Sequence, residues 1–217
     1  MNELTPPALV ALSGAILICL LPQVRKQRTH LLHLLKAGTL VGGIDLIVEL
    51  IGTYSGGWTY NESRLFLFGT VPCELPILFI SSGVWLGAFH LFIRNAKQLL
   101  ISLDQVLLSL TCLTLVIYLA SFTQSTPFRM IIFTLPFGLW GYSQVQGDHR
   151  KALAVILASS TAVADWIIET WAVGRGSYNY AEGFTIETPL TYALLTLGFL
   201  GILEIYSSDQ LGEDYLS

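Results

Sequence analysis

Apolar residues in this chain run in stretches of membrane-crossing length, and short segments holding most of the polar residues separate them. A window of about 19 residues places candidate spans near 7 to 22, 31 to 52, 72 to 93, 99 to 121, 127 to 145, 151 to 173 and 186 to 206. The pattern predicts an all-α integral membrane protein with seven transmembrane helices in one domain, residues 1 to 217. The first span is expected to remain in the mature protein, because Glu3 precedes it in place of a basic segment and Arg25, Lys26 and Arg28 follow it. Alternate ends of the spans collect Arg25, Lys26, Arg28, Arg94, Lys97, Arg150 and Lys151 on one side, and Arg64, Arg129 and Arg175 on the other. The positive-inside rule then predicts a multi-pass protein of the cell membrane with its N-terminus outside and its acidic C-terminal tail in the cytoplasm.

Composition sharpens this picture. Of 217 residues 53% are hydrophobic and 12% charged, and the mean hydropathy is +0.63. Soluble domains carry about 25% charged residues, so a water-soluble enzyme is excluded. The net charge of −4 decides little, since the side on which each charge lies matters more. With no basic cluster larger than Arg25, Lys26 and Arg28, nucleic acid is not an expected partner; the lipid bilayer is. Cys19, Cys73 and Cys112 form no metal-binding spacing and read as packing residues.

The strongest signal is internal. Residues 45 to 62, DLIVELIGTYSGGWTYNE, align without a gap to residues 165 to 182, DWIIETWAVGRGSYNYAE, at an offset of 120. Asp45 matches Asp165, Glu49 matches Glu169, Gly56 matches Gly176, Tyr60 matches Tyr180 and Glu62 matches Glu182. After a seven-residue deletion, Glu74-Leu75-Pro76 answers Glu187-Thr188-Pro189. The expected organisation is a parallel repeat, spans 1 to 3 (about 7 to 95) and 5 to 7 (about 127 to 206), with span 4 (about 99 to 121) linking them. Parallel repeats imply a pseudo-twofold axis along the membrane normal, with span 2 facing span 6. Gly38, Gly42, Asp45 and Glu49 fall on one helical face, and Ala158, Ala162, Asp165 and Glu169 repeat it. Small residues four apart allow close helix approach in lipid.

Six carboxyls, Asp45, Glu49, Glu74, Asp165, Glu169 and Glu187, are thereby expected near one end of the bundle, in the outer half of the bilayer. A charged side chain at membrane depth costs about 2.5 kcal/mol or more, so such acids face the interior and mark function. No Lys or Arg lies close to them, Lys36 being two or more turns away, so some are expected to stay protonated and to serve as Brønsted acids. The structural alternative is hydrogen bonding of helix ends; it is strongest for Glu74 and Glu187, each two residues before a helix-starting proline. Glu62 and Glu182 read as solvated loop residues, and Glu204 and Asp104 as interface or packing residues.

Aromatic side chains accompany the acids. Trp58, Tyr60, Tyr178 and Tyr180 lie in the outer loops, and Trp85, Trp166 and Trp171 on the helices. A headgroup-level aromatic belt accounts for the loop residues. Lining of an apolar substrate site is the alternative for Trp58, Tyr60, Trp85, Trp166, Tyr178 and Tyr180, since a π face attracts a developing cation by roughly 0.5 to 2 kcal/mol. His30, His33, His90 and His149 make no metal site, and His30 and His33, one turn apart, read as interfacial, so neither metal nor cofactor is expected. There is no phosphate-binding glycine loop, no serine nucleophile elbow and no lysine in the middle of the seventh span, which argues against a retinal protein.

The segment WTYNESRLFLFGTVPCELPILFI resembles the Trp-x-Tyr and Pro-x-Glu-x-x-x-Phe signature of the integral-membrane lycopene cyclase domain, a three-helix unit that occurs twice in fused carotenoid cyclases. SYNYAEGFTIETPLTYALL resembles it more loosely, ELIGTYSGGWTY is similar to membrane carotenoid hydratases, and the seven-helix meroterpenoid cyclases are a third relative. The motif likeness covers about 60 residues; Leu75 stands where a second acid belongs in the first copy, and Ile186 takes the proline position in the second.

The resemblance implies an isoprenoid cyclase acting on a polyprenyl or carotenoid chain without metal or diphosphate. Glu49 or Asp165 would protonate an alkene or epoxide, and Glu169 or Glu74 would remove a proton from the cyclised product. A hydratase would differ only in admitting water to the cation. From other classes, a carrier or proton relay would distribute acids through the membrane thickness, and a structural protein would use them to hold two half-bundles together.

Overall fold

The structure is a computed structural model, and it describes residues 13, 14, 16, 28–61, 65–95, 111, 129–181 and 187–214. Along the chain come helix α1 (Arg28–Tyr54), strands β1 (Trp58–Tyr60), β2 (Phe66–Leu67) and β3 (Val71–Pro72), and helix α2 (Glu74–Asn95). Then follow α3 (Arg129–Gln144), α4 (Asp148–Gly174), strand β4 (Tyr178–Tyr180) and α5 (Glu187–Asp214).

Seven transmembrane helices are not supported. The described residues hold five helices, of which three, Glu74–Arg94, Asp148–Gly174 and Glu187–Ser207, are long and apolar enough to cross a membrane. α1 carries Arg28, Lys36, Asp45 and Glu49 and is not one of the three. α3 has 16 residues, with Pro136 inside it. The expected spans 7 to 22 and 99 to 121 lie almost wholly outside the described residues. Nor is the fold all-α: the two aromatic triplets, Trp-Thr-Tyr and Tyr-Asn-Tyr, are strands. Aromatic and β-branched side chains favour the pleated backbone, and three residues are too few to show a period.

How these triplets are presented follows from identical helix ends. α1 and α4 are 27 residues each and stop at equivalent positions, Tyr54 and Gly174. Past the ends, Gly56 and Gly176 both adopt φ +74°, a left-handed geometry that glycine enters without a Cβ clash. Gly57 N donates to Gly52 O at 2.8 Å and Gly56 N to Thr53 O at 3.2 Å; in the second copy Ser177 N donates to Ala172 O at 3.0 Å and Gly176 N to Val173 O at 2.9 Å. These are paired Schellman caps, and they turn each chain from helix into strand. β1 and β4 then pair antiparallel, Trp58 opposite Tyr180, Thr59 opposite Asn179 and Tyr60 opposite Tyr178. Thr59 and Asn179 are repeat equivalents, so the ladder is centred on its own local twofold. The flanking bonds obey it: Asn61 N donates to Ser177 O at 3.0 Å, and Ala181 N to Gly57 O at 2.9 Å.

The described residues form two compact units, one within Met1–Leu91 and Ala172–Glu182, the other within Phe92–Trp171 and Gly183–Ser217. In the first, α1 crosses α2 where Gly38 and Gly42 sit against Ile80, and where a Cβ on Gly83 would meet Ala37 O at 2.6 Å. Leu34 and Val84 extend this contact, with Leu31, Ala88 and Leu91 around them. In the second, Ala158 and Ala162 of α4 pack on Ala193 and Leu197 of α5, while Gly138 and Gly141 of α3 lie against Leu194, Leu197 and Gly198. The stripes of small residues are thus used within each unit, against the helix that follows them in sequence.

The two units repeat contacts as well as residues. Ile80 and Ala193 are equivalent at an offset of 113, so the Gly38 and Gly42 contact recurs as Ala158 and Ala162 on Ala193. Gly14 against Ser81, and Ser13 accepting from Trp85 Nε1 at 2.9 Å, recur as Gly138 against Leu194 and Phe137 against Gly198. Small and hydroxyl side chains line the interior, including Ser81, Ser159, Thr191 and Thr196, while Ile47, Ile51, Ile77, Phe92, Leu139 and Ile167 are exposed. That inverted distribution suits a lipid surround, where close van der Waals packing takes the place of the hydrophobic effect.

A Cβ on Gly141 would lie 2.5 Å from Gly198 Cα, whereas one on Gly43 has nothing within 4 Å. Gly141→Ala should therefore destabilise the detergent-solubilised protein by about 1 to 3 kcal/mol. Gly43→Ala should be neutral or stabilising by up to about 1 kcal/mol. Thermal unfolding of both variants, followed by tryptophan fluorescence, checks the pair.

Candidate functional site

In the first unit α1 brings Asp45 and Glu49 to one face, a single turn apart. Glu49 is buried, and its Oε2 accepts from Trp58 Nε1 at 2.8 Å and from Tyr60 Oη at 2.7 Å. The donors are alternate residues of β1, so they project from one face of the strand toward one carboxyl. The Schellman cap makes this possible by folding the strand back over the helix that bears Glu49. Gly52 lies under the Trp58 ring, where a side chain would collide. The Trp58 ring also meets Tyr180 edge to face, with 6.2 Å between centroids and 65° between planes.

A hairpin closes the same end of the unit. β2 and β3 pair Phe66 with Pro72 and Leu67 with Val71, around a turn in which Phe68 (φ 50°) and Gly69 (φ 78°) are both left-handed. Tyr54 Oη donates to Phe68 O at 2.9 Å, and Thr53 Oγ1 lies 3.1 Å from Thr70 Oγ1. Asp45 differs from Glu49 in its surroundings: its Oδ2 is buried and has no hydrogen-bond partner among the described residues. Glu74 opens α2 and is exposed, in the place where a carboxylate stabilises a helix start.

In the second unit Asp165 Oδ2 and the adjacent Trp166 Nε1 are likewise buried without a partner among the described residues. Glu169 is buried on the same helix, and Glu187 is buried at the start of α5. Trp85 is not gathered to the acids of its own unit; its indole bonds to Ser13 and its ring packs on Phe89 with centroids 6.1 Å apart. Tyr178 contributes its backbone to the ladder opposite Tyr60. Glu62 and Glu182 lie outside the described residues. Among the described residues no group of three or more His, Cys, Asp or Glu side chains is placed to hold a metal ion.

A buried histidine pair went unread in the sequence. His33 on α1 and His90 on α2 place Nε2 and Nδ1 3.1 Å apart, with rings stacked at 5.0 Å. They are 8% and 1% exposed, so His33 is buried where the sequence reading has it interfacial. The repeat carries the signal that finds them, because their equivalents in the second copy are Leu153 and Leu203. The second copy carries two leucines at these positions, and the first holds a polar pair instead.

No family model, curated protein or solved structure matches the chain.

Removing one member of a buried hydrogen-bonded pair costs about 1 to 3 kcal/mol, whereas replacing both with apolar groups is nearly neutral. His90→Leu alone should lower stability by that amount, and the His33→Leu/His90→Leu double variant should recover most of it. A double-mutant cycle on thermal midpoints tests this; additive losses would mean that the two rings do not depend on each other.

Proposed function

We propose that the chain is a membrane isoprenoid cyclase that starts ring closure by protonating an alkene or epoxide from a buried carboxyl. The observation that carries the reading is the contrast between two acids one turn apart in the first unit, Asp45 with an unpartnered buried oxygen and Glu49 with two donors on one oxygen. Pairs of carboxyls in unlike environments divide into acid and base. Asp45 is the proton donor in this scheme. Glu49, bound by Trp58 and Tyr60, is the carboxylate that faces the cation and takes up the final proton. The sequence points to Glu49 or Asp165 as donor; the two hydrogen bonds that Glu49 accepts favour the base role for it.

In an alkene substrate the proton from Asp45 adds to one end of the terminal double bond and leaves a tertiary cation at the other. The next double bond attacks that cation and forms the ring carbon–carbon bond. Loss of a proton to Glu49 restores a neutral product, and the reaction is an isomerisation needing no oxidant, metal or diphosphate. The edge-to-face Trp58 and Tyr180 rings offer π surface to the cation. A linear polyprenyl or carotenoid chain is the substrate class, reached from the bilayer. The exposed apolar surfaces, the three helices able to cross a membrane and the likeness of the WTY and CELP segments to lycopene cyclase domains support the reading. The Lys and Arg distribution supports a multi-pass arrangement with the N-terminus outside and the C-terminus in the cytoplasm.

The test is expression in cells that accumulate linear polyprenyl or carotenoid precursors, with products separated by chromatography. Wild type should convert a precursor to a cyclic isomer. Asp45→Asn and Glu49→Gln should each lower turnover about 10²- to 10⁴-fold, with thermal midpoints near wild type for Asp45→Asn. Undiminished turnover in both variants would overturn the assignment.

A further inference from the structure

A polar cleft lies entirely within the second unit. It has a volume of about 210 Å³ and is lined by Arg94, Gln144, Gln146, Arg150, Glu204 and Ile205. Arg94 is the last residue of one membrane-crossing segment, Arg150 is in the first turn of the next, and Glu204 is one turn before the end of the third. Arg150 Nη2 donates to Arg94 O at 3.1 Å, so the two cationic residues are held together through the backbone of one of them. The neighbouring Lys151 is turned elsewhere, its Nζ 5.4 Å from the centre of the Tyr142 ring.

We propose that this cleft binds a phosphate group, presented by the headgroup of an anionic phospholipid or as free phosphate. Two guanidiniums supply the fork of donors that matches phosphate oxygens, and the Gln144 and Gln146 carboxamides supply neutral donors beside them. Glu204 is the one acid on the wall, which leaves the lining with a net positive charge. The level in the membrane is right for a headgroup, because basic pockets between helices at a membrane surface take lipid phosphates. The repeat does not reproduce this pair of cations: the equivalent of Arg94 is Ser207, and that of Arg150 is His30.

The experiment uses the full chain, purified in neutral detergent, with thermal unfolding read by tryptophan fluorescence. Phosphatidylglycerol, phosphatidylcholine and sodium phosphate are titrated separately against wild type, Arg94→Gln, Arg94→Lys and Arg150→Gln. Arg94→Gln removes a charge while leaving the backbone oxygen that Arg150 uses, so it keeps the test readable if Arg150→Gln does not fold. Phosphatidylglycerol should raise the wild-type midpoint, and Arg94→Gln should need about fivefold more lipid for the same rise, with Arg94→Lys in between. A rise with sodium phosphate that Arg94→Gln weakens likewise would support the site with free phosphate as its source. No rise with either ligand, an equal rise with phosphatidylcholine, or responses unchanged in Arg94→Gln would overturn the proposal.

Discussion

A carboxyl carried into an apolar helix bundle must find its hydrogen-bond donors within the protein, and Glu49 finds both on a strand that begins nine residues later. Three steps make that possible. A glycine accepts the left-handed conformation that ends α1, the Schellman bonds hold the turn, and the alternation of β1 aims Trp58 and Tyr60 at the same oxygen. If the cap failed, the strand would leave in another direction and Glu49 would remain buried among apolar side chains without partners, at a cost of several kcal/mol. The local fold and the candidate chemistry therefore rest on one turn.

The same solution is used twice and then diversified. The bounds of α1 and α4, their caps, the strand triplets and the small-residue crossings recur at equivalent positions, and β1 and β4 meet about a local twofold centred on Thr59 and Asn179. Polar exchanges are among the differences. His33 and His90 replace a leucine pair, Trp58 replaces a tyrosine, and Arg94 and Arg150 stand where the other copy has serine and histidine. A repeat kept for packing alone would not need the histidine pair, which puts hydrogen-bonding groups where the other copy has leucines.

The parts legible in the sequence were those with long or repeated patterns. Asp45, Glu49, Asp165 and Glu169 stood out because i to i+4 acids in apolar runs appear twice, and Trp58 and Tyr60 stood out beside them. Hydropathy could not fix how many helices cross, because it measures apolar content and not helix bounds: α1, over the run at 31 to 52, is not among the described helices long and apolar enough to span. The strand ladder was hidden because three-residue strands have no period, and its partner is 120 residues away. Glu74 resembled its equivalent Glu187 in sequence, yet one is exposed and the other buried. The His33–His90 pair joins residues 57 apart, each unremarkable within its own helix.

The central claim is proton transfer from a carboxyl to carbon, and isotope incorporation tests it most directly. The purified chain, incubated in D₂O with a linear polyprenyl or carotenoid substrate, should give a cyclic isomer carrying a single deuterium at the carbon that was protonated. Asp45→Asn should give none of that product. A cyclic product without deuterium, or unchanged incorporation in Asp45→Asn, would contradict the account.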